Sequence, residues 1–135
     1  MKRTRSQIPL IVIFTLFFAV GCEDDEPGLN LSKKEWEVVS ITEAGSLAPQ
    51  PAKDTYKLEF INDTTYELHL DVNHCVGRYS ISKEGKIDFK GAACTLICCD
   101  TEYAEKMAAM FPGMTSYRVE TGYLILSGDG RIRLK

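Results

Sequence analysis

A chain of 135 residues, 44% hydrophobic and 26% charged, is sized and composed for one globular domain, which excludes collagen-like, low-complexity and intrinsically disordered classes. Its formal charge of −3 becomes more negative once the N-terminal segment is set aside, because Lys2, Arg3 and Arg5 lie there. No basic footprint remains, so nucleic acid is not an expected partner.

Residues 2–5 read KRTR and residues 8–20 read IPLIVIFTLFFAV. The apolar run is shorter than the roughly 20 residues of a membrane-spanning helix, and a positive segment ahead of such a run is the pattern of a secretory signal peptide. Ala19-Val20-Gly21-Cys22 follows, small residues ahead of a cysteine as in the bacterial lipobox, with Ala19 where leucine is usual. The reading is a lipoprotein signal peptide over 1–21 and lipidation of Cys22 by palmitate-class chains. More than one acyl chain holds a protein stably on a membrane. Residues 23–30, EDDEPGLN, are charged and contain Pro and Gly, so 22–30 reads as a lipidated cysteine and acidic tether. The acidic cluster resembles an export signal of some Gram-negative lineages, and Glu23 is not the aspartate of inner-membrane retention. The expected location is the outer membrane of a Gram-negative bacterium, on its periplasmic or cell-surface face.

Residues 31–135 form the domain. WEVVSI at 36–41 has strand propensity, and 43–54 reads as a long loop rich in Ala, Pro and Gly. Tyr56, Leu58 and Phe60 alternate with Lys57 and Glu59; Asn62-Asp63 turns the chain; Tyr66, Leu68 and Leu70 alternate again. Tyr79 and Ile81, then Ile87 and Phe89, then Tyr117 and Val119, Leu124 and Leu126, and Ile132 and Leu134 continue the pattern around short turns. Eight short strands at roughly ten-residue spacing predict a mainly β fold, a small antiparallel barrel or barrel-like meander. The exception is 101–111, TEYAEKMAAMF, whose Tyr103, Met107, Met110 and Phe111 share one helical face. Asp100 or Thr101 caps this one late helix, Pro112-Gly113 stops it, and it is expected to lid an open end of the barrel. Twelve bulky side chains fall on inward phases: Trp36, Tyr56, Leu58, Phe60, Leu68, Tyr79, Ile87, Phe89, Met107, Phe111, Leu124 and Leu126.

Four cysteines remain after Cys22: Cys75, Cys94, Cys98 and Cys99. Export implies an oxidising compartment and two disulfides. A Cys98–Cys99 bridge is disfavoured by the usual Cα spacing, leaving Cys75 to pair with Cys98 or Cys99 and Cys94 with the other. His69, His74, Cys75, Cys98 and Cys99 could supply zinc ligands, but the C-x₃-C-C spacing is not a standard zinc pattern, so no metal or cofactor is expected. GxSxG, P-loop, GxGxxG and HExxH motifs are absent from the sequence, and both histidines fall on polar phases. The expectation is a protein without a catalytic site.

Over 31–135 the chain resembles the META domain (HslJ-like) family of small bacterial lipoproteins. Trp36 matches the tryptophan of the opening strand, and Leu58 and Phe60 match an early strand. In VNHCVGRY, Asn73, Gly77 and Tyr79 match the central motif, with Val72 where the family has cysteine and Cys75 three residues later. Thr95, Ile97 and Cys99 match a second motif before the helix, and Tyr117 and Leu124-Ile125-Leu126 match later strands. The resemblance implies a compact antiparallel barrel with a helix and no established catalytic site, in a family linked to heat response, drug tolerance or motility. Because Cys99 matches the bridging cysteine, it tips the pairing toward Cys75–Cys99 and Cys94–Cys98.

The leading functional expectation is a non-enzymatic envelope lipoprotein, a binding or structural and stress-related module with the membrane as one partner through its lipid and a protein as another. A lipocalin-like carrier of a small hydrophobic ligand and a secreted-protease inhibitor acting through 43–54 stay open as alternatives.

Overall fold

The computed structural model describes residues 31, 32 and 34–135. The signal peptide at 1–21, Cys22 and the tether at 23–30 lie outside the described residues. The strands are β1 (Lys34–Glu43), β2 (Gln50–Pro51), β3 (Lys57–Phe60), β4 (Thr65–His69), β5 (His74–Ile81), β6 (Ile87–Cys94), β7 (Met114–Glu120), β8 (Tyr123–Gly128) and β9 (Gly130–Leu134). A helix, α1 (Glu102–Met110), and a 3₁₀ turn at Phe111–Gly113 separate β6 from β7.

Neighbouring strands are antiparallel in the order β6-β5-β4-β3-β1-β9-β8-β7, with β2 added against β1. The result is the mainly β, curled half-barrel with one late helix that the sequence pattern leads one to expect. Its two outer strands approach each other at an isolated bridge between Lys86 and Ser116, beside a Tyr117 N–H to Gly85 carbonyl bond of 2.8 Å. Gln50–Pro51 adds a strand where a plain loop is expected: it pairs with Ser40 and Ile41 for two residues only, too short to imprint a period on the sequence.

All twelve side chains assigned to inward phases are buried. Alternation slips once in β1, where Trp36 and Val38 are followed inward by Ile41. A register shift between Val38 and Ser40 against β9 accounts for it, since an inserted residue flips the phase. Phe60 meets Tyr79 at 4.7 Å between ring centres, and Phe89 meets Tyr66 and Phe111 edge-on at 5.0 and 5.2 Å. The interior is therefore occupied by the domain's own side chains.

Strand direction gives the domain two ends. The chain enters β1 at one end, where Leu31 is buried and where the β3–β4, β5–β6 and β7–β8 turns also lie. The other end carries the β1–β3 loop, the β4–β5 turn, α1 and the β8–β9 turn. The helix covers that end: Tyr103 stacks on Tyr56 at 5.4 Å, its hydroxyl donates to the Gln50 carbonyl at 3.2 Å, and Lys106 reaches Glu43 at 3.4 Å. Burial, with the nearby Tyr56, pushes the Tyr103 phenol up to about 12.

Gly77 is required by close approach. A Cβ there would stand 2.6 Å from the Tyr66 ring, and that ring is itself wedged against Phe89. Gly77→Ala should therefore destabilise the fold by about 1–3 kcal/mol, read as a lowered urea midpoint. An unchanged midpoint would show that the ring can move aside.

Candidate functional site

The end opposite the chain entry is built around one carboxamide. Asn73 ends the β4–β5 turn, which is closed by Leu70 N–H donating to the Asn73 carbonyl at 2.8 Å. Its Oδ1 accepts from the Thr95 hydroxyl at 2.8 Å and the Ile97 N–H at 2.7 Å; its Nδ2 donates to the Ile97 carbonyl at 2.5 Å and Asp100 Oδ2 at 2.6 Å. An amide with two donors and two acceptor lone pairs is fully used by this arrangement. Asp100 Oδ1 in turn accepts from Val72 N–H and Asn73 N–H at 2.9 and 3.2 Å. Asn73 and Thr95, singled out in the sequence, are thus brought into direct contact.

Next to this clasp Asp71 starts the helix. Its Oδ2 accepts from the N–H and the hydroxyl of Thr101, both at 2.7 Å, and its Oδ1 accepts from the Tyr56 hydroxyl at 3.0 Å. Thr101 is the N-cap, accepting from Ala104 N–H at 3.3 Å. Partial burial pushes both carboxyls up, yet the hydrogen bonds outweigh it and hold Asp71 and Asp100 below the usual carboxylate range. Burial raises the Tyr56 phenol. These groups hold the loop and the start of the helix.

The cysteines pair differently from expectation. Cys75 on β5 stands directly across the ladder from Cys94 on β6, Cα atoms 4.0 Å apart, and bonds to it; Cys98 bonds to Cys99. The expected Cys75–Cys99 and Cys94–Cys98 bridges are not formed, and the bridge disfavoured on spacing is. The reason lies in the register: β6 runs on to Cys94, past the last residue of the alternating pattern, and uses up Cys75. The two cysteines on the loop are then left to each other.

What the clasp presents is the loop between the bridges. Leu96 is 98% exposed and Ile97 59%, although the backbone around them is fixed by Asn73, Thr95 and Asp100. A shallow groove of about 520 Å³ runs between this loop, Leu70 and Ala108. Leu47 and Val72, also exposed, lie at the same end. Of the other family-motif positions, Trp36 and Tyr79 are buried, Tyr79 donating its hydroxyl to the Asn62 carbonyl at 2.8 Å. His69 and His74 lie together on the outer face of β4 and β5, which the polar phase of each anticipates but their proximity does not.

A family model for the META domain matches residues 29–135. No curated protein matches the sequence. A DUF4847 family protein from Bacteroides vulgatus ATCC 8482 is similar in structure, with a TM-score of 0.58 at 13% identity, over 78% of this chain and 93% of that one. A protein from Burkholderia xenovorans is similar at a TM-score of 0.58 and 14% identity, over 77% of this chain and 81% of that one. Both likenesses concern the fold.

Two expected outcomes check the site. In Cys75→Ala the single thiol released should be labelled at Cys94; labelling at Cys99 would restore the pairing expected from the sequence. Because Asp71 and Asp100 titrate lower in the folded than in the unfolded chain, the stability they add is complete above about pH 5 and is lost as pH falls through their lowered values. Asp100→Asn should flatten that acid loss in urea midpoints measured across the range, and an unaltered profile would remove Asp100 from it.

Proposed function

We propose, from the premise that the chain belongs to the META domain family, that it is a non-enzymatic lipoprotein of the outer membrane whose free end receives a protein partner. The observation that carries this reading is the position of the Leu96–Ile97 pair. These apolar side chains are exposed on a loop held on one side by the Cys75–Cys94 bridge and on the other by Asp100, at the end of the domain away from the chain entry. A tether lipidated at Cys22 would hold the entry end toward the membrane and turn this loop away from it. Exposed apolar side chains on fixed backbone lose little conformational freedom on binding, which suits protein recognition.

An interior lined by Trp36, Phe60, Tyr66 and Phe89 packed on one another speaks against a lipocalin-like carrier. The surface grooves, the one between Thr42–Leu47 and Gly128–Arg133 among them at about 690 Å³, lie outside that interior. The inhibitor reading stays as the second one, because Gln50–Pro51 ties the 43–54 loop to β1 while Leu47 at its tip is 99% exposed.

Anchoring is tested by radiolabelled palmitate: the chain should be labelled in its host and Cys22→Ala should not, while equal labelling of both would remove the anchor. The partner face is tested by a photocrosslinking residue placed at Leu96 or, as a control at the entry end, at Glu84. A discrete protein adduct from position 96 alone is expected. Adducts equal at both positions, or saturable one-to-one binding of a fatty-acid probe by the purified chain, would overturn the reading.

A further inference from the structure

The β4–β5 hairpin closes on a pair of histidines. His69 and His74 are partners in the register, so their side chains leave the same outer face. Glu67 lies two residues before His69 and therefore on that face, and Glu59 stands opposite Glu67 on β3. The Nε2 atoms of the two imidazoles each lie 3.9 Å from one and the same atom, Glu67 Oε1. Ligand atoms of Glu59, Glu67 and His69 fall within 4.8 Å of one another.

We propose that Glu67, His69 and His74, with Glu59 within reach, form a binding site for a divalent transition ion of the zinc class. Imidazole nitrogens and carboxylate oxygens bind zinc at about 2.0–2.2 Å, which sets donors of a tetrahedral site about 3.4 Å apart. Glu59, Glu67 and His69 already gather near that spacing, whereas His74, 3.9 Å from Glu67 Oε1 with its ring centre 6.4 Å from that of His69, stands outside this group and joins it by side-chain rotation. The backbone beneath is already fixed: the His74 N–H donates to Thr95 Oγ1 at 3.2 Å and its carbonyl accepts from the Thr95 N–H at 3.0 Å. Ordering therefore costs only side-chain freedom.

Charge favours the same ion. Glu59 and Glu67 are like charges directly opposed across a ladder, an unfavourable pair without a cation. Lys57, the register partner of His69, is engaged by Glu35 at 2.8 Å. Two nitrogen donors select against calcium and magnesium, which take oxygen. The four cysteines among the described residues are held in disulfides and supply no thiolate. With His74 48%, His69 42% and the Glu67 side chain 23% exposed, an ion can enter from solvent without opening the fold. Bound, it would tie β4 to β5, and through Glu59 to β3, beside the Asn73 clasp.

Equilibrium dialysis of the oxidised full chain against zinc chloride, with bound metal measured by atomic emission, tests the site. Saturation at one ion per chain is expected, weakened at least about tenfold in His69→Ala and in His74→Ala and unaltered in Cys98→Ser/Cys99→Ser. In the unsubstituted chain, zinc should shift the ring signals of His69 and His74 in NMR spectra, a reading that depends on no variant folding correctly. Non-saturable uptake, wild-type affinity in the histidine variants, loss of binding in the cysteine variant, or unshifted rings would each overturn the proposal.

Discussion

The rings of Phe60, Tyr66, Tyr79, Phe89 and Phe111 fill the concave side of a sheet that does not close by continuous hydrogen bonding. β6 and β7 meet at the Lys86–Ser116 bridge, so the seam between them cannot rely on a full ladder. Phe111, delivered by the 3₁₀ turn that leads into β7, packs against Tyr66 of β4 and Phe89 of β6 and so brings the chain entering β7 onto the β6 side of the seam. Edge-on aromatic pairs add about 0.5–1.5 kcal/mol each beyond area burial. The dependence runs back into the sequence: Gly77 must lack a side chain to leave room for Tyr66, and the helix must stop where Pro112-Gly113 stops it to set Phe111 in place.

The second element follows from the first. A sheet packed from within leaves its strand ends to polar chemistry, and at the far end this falls to Asn73, Asp71 and Asp100. Each takes up backbone donors of a segment that has no ladder of its own: Ile97, Val72, Asn73 and Thr101 N–H groups all end on these side chains. Only Asn73 among these is partly buried, so the bonds act chiefly by fixing the backbone, each contributing about 0.5–1.5 kcal/mol. The clasp therefore accounts for how Leu96 and Ile97 can be both exposed and fixed in place.

The period-two pattern made the fold legible because nearly every strand has one face against the interior, so burial writes itself into alternation. It failed where burial stops deciding. The Gln50–Pro51 strand is too short, the β1 bulge breaks the phase between Val38 and Ser40, and β6 beyond Phe89 has exposed residues up to Cys94. That last stretch is why spacing does not predict the disulfide partners: the pairing of Cys75 depends on a cross-strand register that no local pattern encodes. Asn73 and Thr95 were legible as motif positions, but their mutual hydrogen bond was not. His69 and His74 were each legible as surface residues. Their convergence on Glu67 comes from a tight turn that closes the hairpin with the two opposite each other, which spacing along the chain leaves undetermined.

The outer face and the far end are mechanically one unit. Thr95 holds the backbone of His74 and the side chain of Asn73 at once. The residue that aligns the hairpin histidines thus also begins the Leu96–Ile97 loop. Cys75, next to His74, is buried and bonded to Cys94, next to Thr95. A displacement of β5 at His74 would therefore be passed to the loop through a disulfide, the Thr95 N–H to His74 carbonyl bond and the His74 N–H to Thr95 Oγ1 bond rather than through solvent. Coupling over so short a path means that groups on the outer face of the hairpin and the apolar pair at its tip respond to the same strain.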